Sequence, residues 1–453
     1  MINLLFKKEY KKLIEDNKEK LKEEIKIAEK ECSEKGLVFQ NKPFKIYPCV
    51  SILSAEDRNQ IQTEAENMIN ILEKVIRLYS KDKETKEFFM LDDKARELVE
   101  INPGYERKIR ISRFDTYLVP GQSLFKILEN NTDCPAGVIF TGRMLDVMKK
   151  VPTIKEYLDH LPPVKEEGID NSQNFVQTLL DTYEEFKPKS QKPNVGILQL
   201  KGKASKEVLE MLNLFSKMNV NAVVVDPREF ELKGNHLYHD SLKIDLVWNK
   251  INTADFIPLL DLKNDMENYL TACKKQLVCQ VNSFQARFIT ESKLCLAYLS
   301  DPLFKHHFTN DERELIQRHI PWSRKLSNGK VEFNNQNLEL KELAIKYQDR
   351  FVIKTAYDIR GEGVIIGKSV DSDQWKQSLE KYWDEPFILQ EFIAAPEIDV
   401  PVDEDKLFAP KKFSTDLFVF GGRFQGFGSK ISDELKVNIF QNGSKQVLLS
   451  LEE

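Results

Sequence analysis

A chain of 453 residues is too long to fill one hydrophobic core, so two or three domains are expected. Its 41% hydrophobic content excludes a disordered protein, and its net charge of -5 argues against a general nucleic-acid binder. No stretch is long and apolar enough for a transmembrane helix, and MINLLFKKEYKK lacks the apolar core and cleavage site of a signal peptide, so no membrane association and a cytoplasmic location are expected.

Residues 1–36 are rich in Lys and Glu, with Ile14, Leu21, Ile25 and Ala28 at helical spacing. This predicts an exposed amphipathic helix, a solvated lid or a docking element. Cys32, Cys49, Cys134, Cys273, Cys279 and Cys295 form no CxxC pair, which excludes a zinc site or disulfide framework and predicts reduced thiols. After KPFKIYPCVSILS, a long helix is predicted through ENMINILEKVIRLYSKD, where Ile69, Leu72, Val75, Ile76 and Tyr79 share a face. RFDTYLVPGQSLFKILENNTDCPAG, from Arg113 to Gly137, reads as two short strands joined by a turn at PGQ. Helices are predicted through TGRMLDVMKKVPTIKEYL and SQNFVQTLLDTYEEF, and KPKSQKP (187–193) reads as a linker. NVGILQL, ASKEVLEMLNLFSKMN and NAVVVDP then form a βαβ unit, and KIDLVWNKI is a further strand. The unit has no glycine-rich first turn, so a dinucleotide fingerprint is declined. From about residue 305 a strand, glycine loop and strand (DRFVIKTAYDIRGEGVIIGK) precede a helix (SDQWKQSLEKYW) and another strand (EPFILQEFI). FSTDLFVFGGRFQGFGSKIS and LKVNIFQNGS predict a β-rich end.

Strand alternation turns Arg113 and Asp115 to one face of the hairpin, and Glu129 and Asn131 likewise. Pairing across the turn can bring Asp115, Glu129 and the Asn131 amide oxygen together, a hard oxygen set suited to Mg²⁺. Arg113 would stand beside it as a fixed, forked cation. By spacing alone the same residues serve equally as the solvated face of an ordinary hairpin. In FVIKTAYDIRGEGV, Lys354 ends an apolar strand and Gly361 and Gly363 allow close approach of backbone N–H groups to phosphate; a common structural hairpin has the same pattern. Gln390 and Glu391 end a strand and offer groups to an adenosine edge or simply to solvent. Lys293 opens a helix in TESKLCLAYLSD. Cys134 lies in the hairpin stretch with no base supplied nearby, which disfavours a nucleophile.

Taken together, these motifs resemble a circularly permuted ATP-grasp ligase related to the synthetase domain of glutathionylspermidine synthase. RFD…ENN followed by DxPxG comes first, the βαβ region next, and VIKTAYDIRGEGV with ILQEF last, over roughly residues 40 to 453. VNSFQARFITESK resembles the family's segment from an asparagine, here Asn282, to its first nucleotide lysine. GRFQGFGSKIS…VNIFQNG resembles the element G-x-x-x-G-x-x-x-R-x-S…V-N-x-x-x-G-G, but with Lys430 where arginine is usual and Asn442-Gly443 where Gly-Gly is usual. Thr355 stands where proline is common, and Arg360 precedes the first glycine of the loop.

The resemblance implies an α/β (α+β) fold: a helical N-terminal extension (1–40), a region carrying the permuted Mg²⁺-binding part (41–190), a Rossmann-like pre-ATP-grasp βαβ domain (191–304) and a nucleotide-binding region (305–453). It implies Mg²⁺ on Asp115, Glu129 and Asn131. It implies ATP on Lys293, Lys354, the Gly361–Gly363 loop, Gln390 and Glu391. Arg113 and Lys430 would stabilise the reacting groups. The activity implied is carboxylate activation: a carboxylate oxygen attacks the γ-phosphorus of ATP, giving an acyl phosphate and ADP, and an amine displaces phosphate to form an amide. Its partners are small-molecule carboxylates and amines, in specialised-metabolite or peptide-like synthesis. A carrier-protein thiol as acceptor and a non-catalytic scaffold of the same fold are the alternatives. The N-terminal extension offers no paired Cys and His, so no hydrolytic half is expected.

Overall fold

Strands from two distant parts of the sequence build one eight-stranded sheet in the computed structural model, which describes residues 6–39, 42–43, 45–118, 125–139, 141–165, 171–358, 361–439 and 443–452. The expected PGQ turn, Arg360 and Asn442 lie outside the described residues. Across the sheet run Ile46–Leu53, Ser444–Leu451, Arg423–Ser432, Phe408–Phe420, Ile111–Tyr117 and Lys126–Asn131. Glu397–Pro401 pairs with Phe408–Phe420, and Val164–Lys165 with Ser444–Leu451. Only Ile46–Leu53 and Ser444–Leu451 run parallel; the other pairings are antiparallel. The hairpin therefore joins the C-terminal strands, with Asp115 opposite both Glu129 and Asp416.

Alternation explains the faces of this sheet. Phe114 and Thr116 are fully buried, while Arg113 and Asp115, which alternate with them, are half-buried on the other side. The helix Ala55–Lys81 carries the stripe Ile61, Met68, Ile69, Leu72, Val75 and Ile76 into the same core. Its start is fixed by Ser54, whose hydroxyl accepts from Asp57 N at 3.0 Å.

At the N-terminus the structure corrects the expectation. Instead of one exposed helix there are two, Lys7–Asp16 and Leu21–Glu34, broken by a 3₁₀ turn. Their apolar residues Tyr10, Ile14, Leu21, Ala28 and Cys32 are buried. Tyr10 donates its hydroxyl proton to Pro48 O, and Glu24 accepts from Thr153 N and Oγ1 at 2.9 and 2.7 Å. The apolar stripe at helical spacing covers the sheet instead of facing solvent, so these helices are not a free lid.

The βαβ reading holds. Val195–Leu198, Ala222–Val225, Leu246–Asn249 and Cys279–Val281 form a parallel sheet, with the helix Lys206–Lys217 as a crossover. KIDLVWNKI is divided: Leu242–Ile244 joins a small antiparallel sheet, and only Leu246–Asn249 enters the parallel one. Asn194 O accepts from the backbone N–H groups of Asp245 and Leu246, which turns the chain between them.

A further antiparallel sheet, ordered Ser323–Lys325, Phe387–Glu391, Phe351–Thr355 and Val364–Ile366, packs under the helices Leu340–Lys346 and Ser372–Tyr382. It has its own core, including Phe333, Phe351, Ile353, Trp375, Leu379 and Leu389. At the C-terminus, Leu435 to Ile439 is not a strand as expected; the last strand begins at Ser444. Lys436 instead reaches back to Gly361 O and Val364 O, at 3.0 and 2.7 Å. Among the described residues no helix is long and apolar enough to cross a membrane.

Candidate active site

The centre of the site is a row of charges across the large sheet. Arg113 forks onto Asp115, with Nε to Oδ1 at 2.7 Å and NH2 to Oδ2 at 3.2 Å, and its NH1 donates to Ala136 O at 2.6 Å. Asn131 Nδ2 donates to Asp115 Oδ1 at 2.8 Å, and Lys430 Nζ to Oδ2 at 3.0 Å. Lys430 also pairs with Asp416 at 2.8 Å. Burial opposes the charged form of Asp115, but Arg113 and Lys430 outweigh it and hold this carboxyl well below the usual carboxylate range. Burial likewise opposes charge on Lys430, yet Asp115 and Asp416 raise its pKa.

Glu129 links this row to the second group. Lys293 Nζ donates to Glu129 Oε1 at 2.9 Å and lies 3.7 Å from Asp358 Oδ1. Burial works against the Lys293 ammonium, but Glu129 and Asp358 more than compensate and raise its pKa. Lys354 pairs with no acid among the described residues. Its Nζ donates to Leu128 O at 2.9 Å and to Gln390 Oε1 at 2.6 Å. Leu128 is available because the ladder slips beside it: Asp115 faces Glu129, but Thr116 faces Ile127. Burial, and then the neighbouring Lys293, push the Lys354 amine down to about 8.

The site residues read from the sequence thus fall into two connected groups. Arg113, Asp115, Asn131 and Lys430 make one, and Glu129, Lys293, Lys354 and Gln390 the other. Gln390 is buried and also donates to Ser323 Oγ at 3.0 Å, so its side chain holds Lys354. Glu391 points elsewhere and pairs with Arg350 at 2.8 Å. Gly361 has φ +74 and Gly363 lies tight against Thr355, where an added Cβ would stand 2.3 Å from Thr355 Cγ2.

Three acids and a lysine at the site escaped the sequence reading. Asp416 is buried opposite Asp115. Asp358 Oδ2 is buried and has no hydrogen-bond partner among the described residues. Lys445 stands across from Lys430. Glu291 accepts from Thr132 N at 2.5 Å and Asp133 N at 3.0 Å, fixing the turn after the hairpin. Burial, Asp133 and Glu129 push the Glu291 pKa far up. The signal for Asp358 was present, an acid four residues after Lys354 at the mouth of the glycine loop; Asp416 carried no local signal.

Clamps explain why the hairpin ends where it does. Asn282 Oδ1 accepts from Arg110 N and Ile111 N at 2.8 and 2.9 Å, while its Nδ2 donates to Ile111 O and Thr132 O at 2.6 and 2.8 Å. The side chain thus staples both hairpin strands to the parallel sheet, which is a structural use of the Asn282 motif. Lys250 Nζ holds the following turn through Cys134 O and Pro135 O, at 3.0 and 2.6 Å. The Cys134 thiol is pushed far up by burial, which makes it a poor nucleophile.

No family model and no curated protein matches the sequence. Among solved structures, the chain is similar to a glutathione synthetase-like effector from Globodera pallida, with a TM-score of 0.57 at 13% identity over 94% of this chain and 96% of that one. It is also similar to a protein named as a γ-glutamylcysteine synthetase from Methylobacillus flagellatus, with a TM-score of 0.41 at 10% identity over 82% and 84% of the two chains. The ATP-grasp ligase PsnB, solved with a minimal precursor, gives a TM-score of 0.27 at 11% identity over 55% of this chain and 90% of that one. The first likeness shows that this chain shares the mixed α/β fold of that glutathione synthetase-like effector over nearly its whole length.

Proposed function

We propose that the chain is an ATP-dependent carboxylate–amine ligase with the circularly permuted ATP-grasp order, acting through an acyl phosphate and releasing ADP and phosphate. The observation that carries this reading is the meeting of Glu129, Lys293, Lys354 and Asp358 beside the Arg113–Asp115–Lys430 row. Two buried ammonium groups at one end suit phosphate oxygens, and a forked guanidinium at the other suits a carboxylate.

The donors fit Mg²⁺. Asp115, Glu129 and Asn131 would supply hard oxygens to it. Among the described residues no group of three or more His, Cys, Asp or Glu is placed to hold a metal ion, so the proposed set rests on Asp115, Glu129 and Asn131 closing on the ion when Mg²⁺-ATP binds. Mg²⁺-ATP, when bound, supplies the phosphoryl group that activates the carboxylate.

The chain's own residues supply alignment and charge. Lys354 is held at its position by Leu128 O and Gln390, and Lys293 by Glu129, so both ammonium groups are fixed before binding. Arg113, anchored by Ala136 O, would orient the carboxylate in line. Lys430 would spread charge on the acyl phosphate as a point charge, without the second hydrogen bond that arginine offers. The Gly361–Gly363 loop, tied to Lys436, would cover the reacting groups and exclude water.

The test is Mg²⁺-dependent ADP release with a panel of paired carboxylates and amines. Glu129→Gln should lower turnover by at least about 100-fold while the protein still melts cooperatively. Turnover at the wild-type rate in this variant would overturn the site assignment.

A further inference from the structure

One lysine at the site has no part in the chemistry proposed above. Lys445 lies directly across from Lys430, on the sheet face that carries Asp416, Asp115 and Arg113. It is 9% exposed, and among the described residues no hydrogen bond or ion pair engages its ammonium. The two acids that act on it are committed elsewhere. Asp416 pairs with Lys430 at 2.8 Å. Glu207 accepts from Gly137 N at 2.7 Å and pairs with Lys250 at 3.5 Å. A buried ammonium left in this way is costly, and sequences keep such groups where something else neutralises them.

Charge counting along the row gives the sign of the missing group. Arg113, Lys430 and Lys445 face Asp115 and Asp416, which leaves one positive charge. Around Glu129, Lys293 and Lys354 together face Glu129 and Asp358, which leaves no net charge there, although both acids pair with Lys293 and neither with Lys354. The two ends are well separated. From the Lys445 strand to the Glu129 strand there are four strand spacings, about 19 Å at roughly 4.8 Å each. The Lys445 ammonium lies instead over the turn after the hairpin, 3.6 Å from where a Cβ on Gly137 would stand. Gly137 has φ +85, so both its backbone and its lack of a side chain keep that approach open.

We propose that Lys445, over the Ala136–Gly137 turn, forms a subsite for a second anionic group on the organic substrate, separate from the carboxylate that is activated. Naming the ligand a substrate rests on the ligase reading; the subsite itself rests on the placement of Lys445. The group is a carboxylate or a phosphate, and an acidic amino acid or an acidic peptide end carries the first.

Calorimetry on the full chain tests this with glutarate, 3-phosphonopropionate and butyrate as probes, on wild type, Lys445→Met and Lys445→Gln. Wild type should bind one of the two dianions at least about tenfold more tightly than butyrate, the scale of one charge-assisted hydrogen bond. Preference for glutarate assigns a carboxylate, and preference for the phosphonate assigns a phosphate. Either substitution should erase the preference; thermal melts show which variants are folded. Equal binding of all three probes by wild type, no binding of either dianion, or a preference that survives in a folded variant overturns the proposal. Mg²⁺-ATP binding is measured separately. Its loss in wild type with the dianion preference intact counts against the ligase reading alone, and the reverse counts against the subsite alone.

Discussion

The middle of the charged row and its two ends treat their lysines in opposite ways. In the middle, Lys293 and Lys430 each sit between two carboxylates, Glu129 with Asp358 and Asp115 with Asp416, and their pKa values rise despite burial. At the ends, Lys354 and Lys445 are equally buried and pair with no acid among the described residues, and burial pushes each down to about 8. The first pair is neutralised by the protein itself and holds the hairpin, the large sheet and the helix start together. On the proposed reading the second pair is left for anions from outside, and what marks a binding lysine is burial without a carboxylate, not burial alone.

The largest effect that can break this comparison comes from the middle. Asp115→Ala removes the carboxylate shared by Arg113 and Lys430, leaves two partly desolvated cations, and should cost about 3 kcal/mol as well as abolish turnover. Lys293→Met should lower the melting temperature similarly, because Glu129 and Asp358 lose their cation. Lys354→Met gives the contrast: ATP affinity should fall by about 10- to 100-fold with no loss of thermal stability, since it removes a desolvated ammonium. A Lys354→Met protein that melts well below wild type would make the two classes of lysine one.

A smaller effect sharpens the comparison through pH. A lysine whose folded pKa is about 8, below its ordinary value near 10.4, binds fewer protons folded than unfolded within that window. The free protein should therefore gain stability as pH rises from about 8 towards 10, read by denaturant melts at each pH. An anion beside Lys354 restores its proton, so ATP binding at pH 8 should take up about half a proton, measured by calorimetry in buffers of different ionisation enthalpy. The smallest effect belongs to Cys134→Ala, which should leave turnover within about twofold, because burial keeps the thiol protonated.

How much of this was legible follows from distance along the chain. Asp115, Glu129 and Asn131 were readable because strand alternation and a short turn bring them together locally. Asp416 and Lys430 were not readable as partners of Asp115, since the Lys430 contact spans 315 residues and the register of strands so far apart leaves no trace in sequence spacing. The Leu128 bulge, which frees the carbonyl that seats Lys354, is likewise a product of pairing. Asn282 was visible as a motif but not as a staple, because its four hydrogen bonds go to backbone of another unit. The stripe of the N-terminal helices was legible at Ile14, Leu21 and Ala28, but abundant Lys and Glu pointed to an exposed helix, and its burial against the sheet is a product of the tertiary fold.

The central claim is that the two connected groups form a Mg²⁺-dependent nucleotide site, and calorimetric titration of ATP with and without Mg²⁺ tests it most directly. Wild type should bind ATP only with Mg²⁺ present, and Glu129→Gln should lose that dependence while remaining folded. ATP binding that is indifferent to Mg²⁺, or no binding by folded wild type, would contradict the account and return the fold to the role of a scaffold.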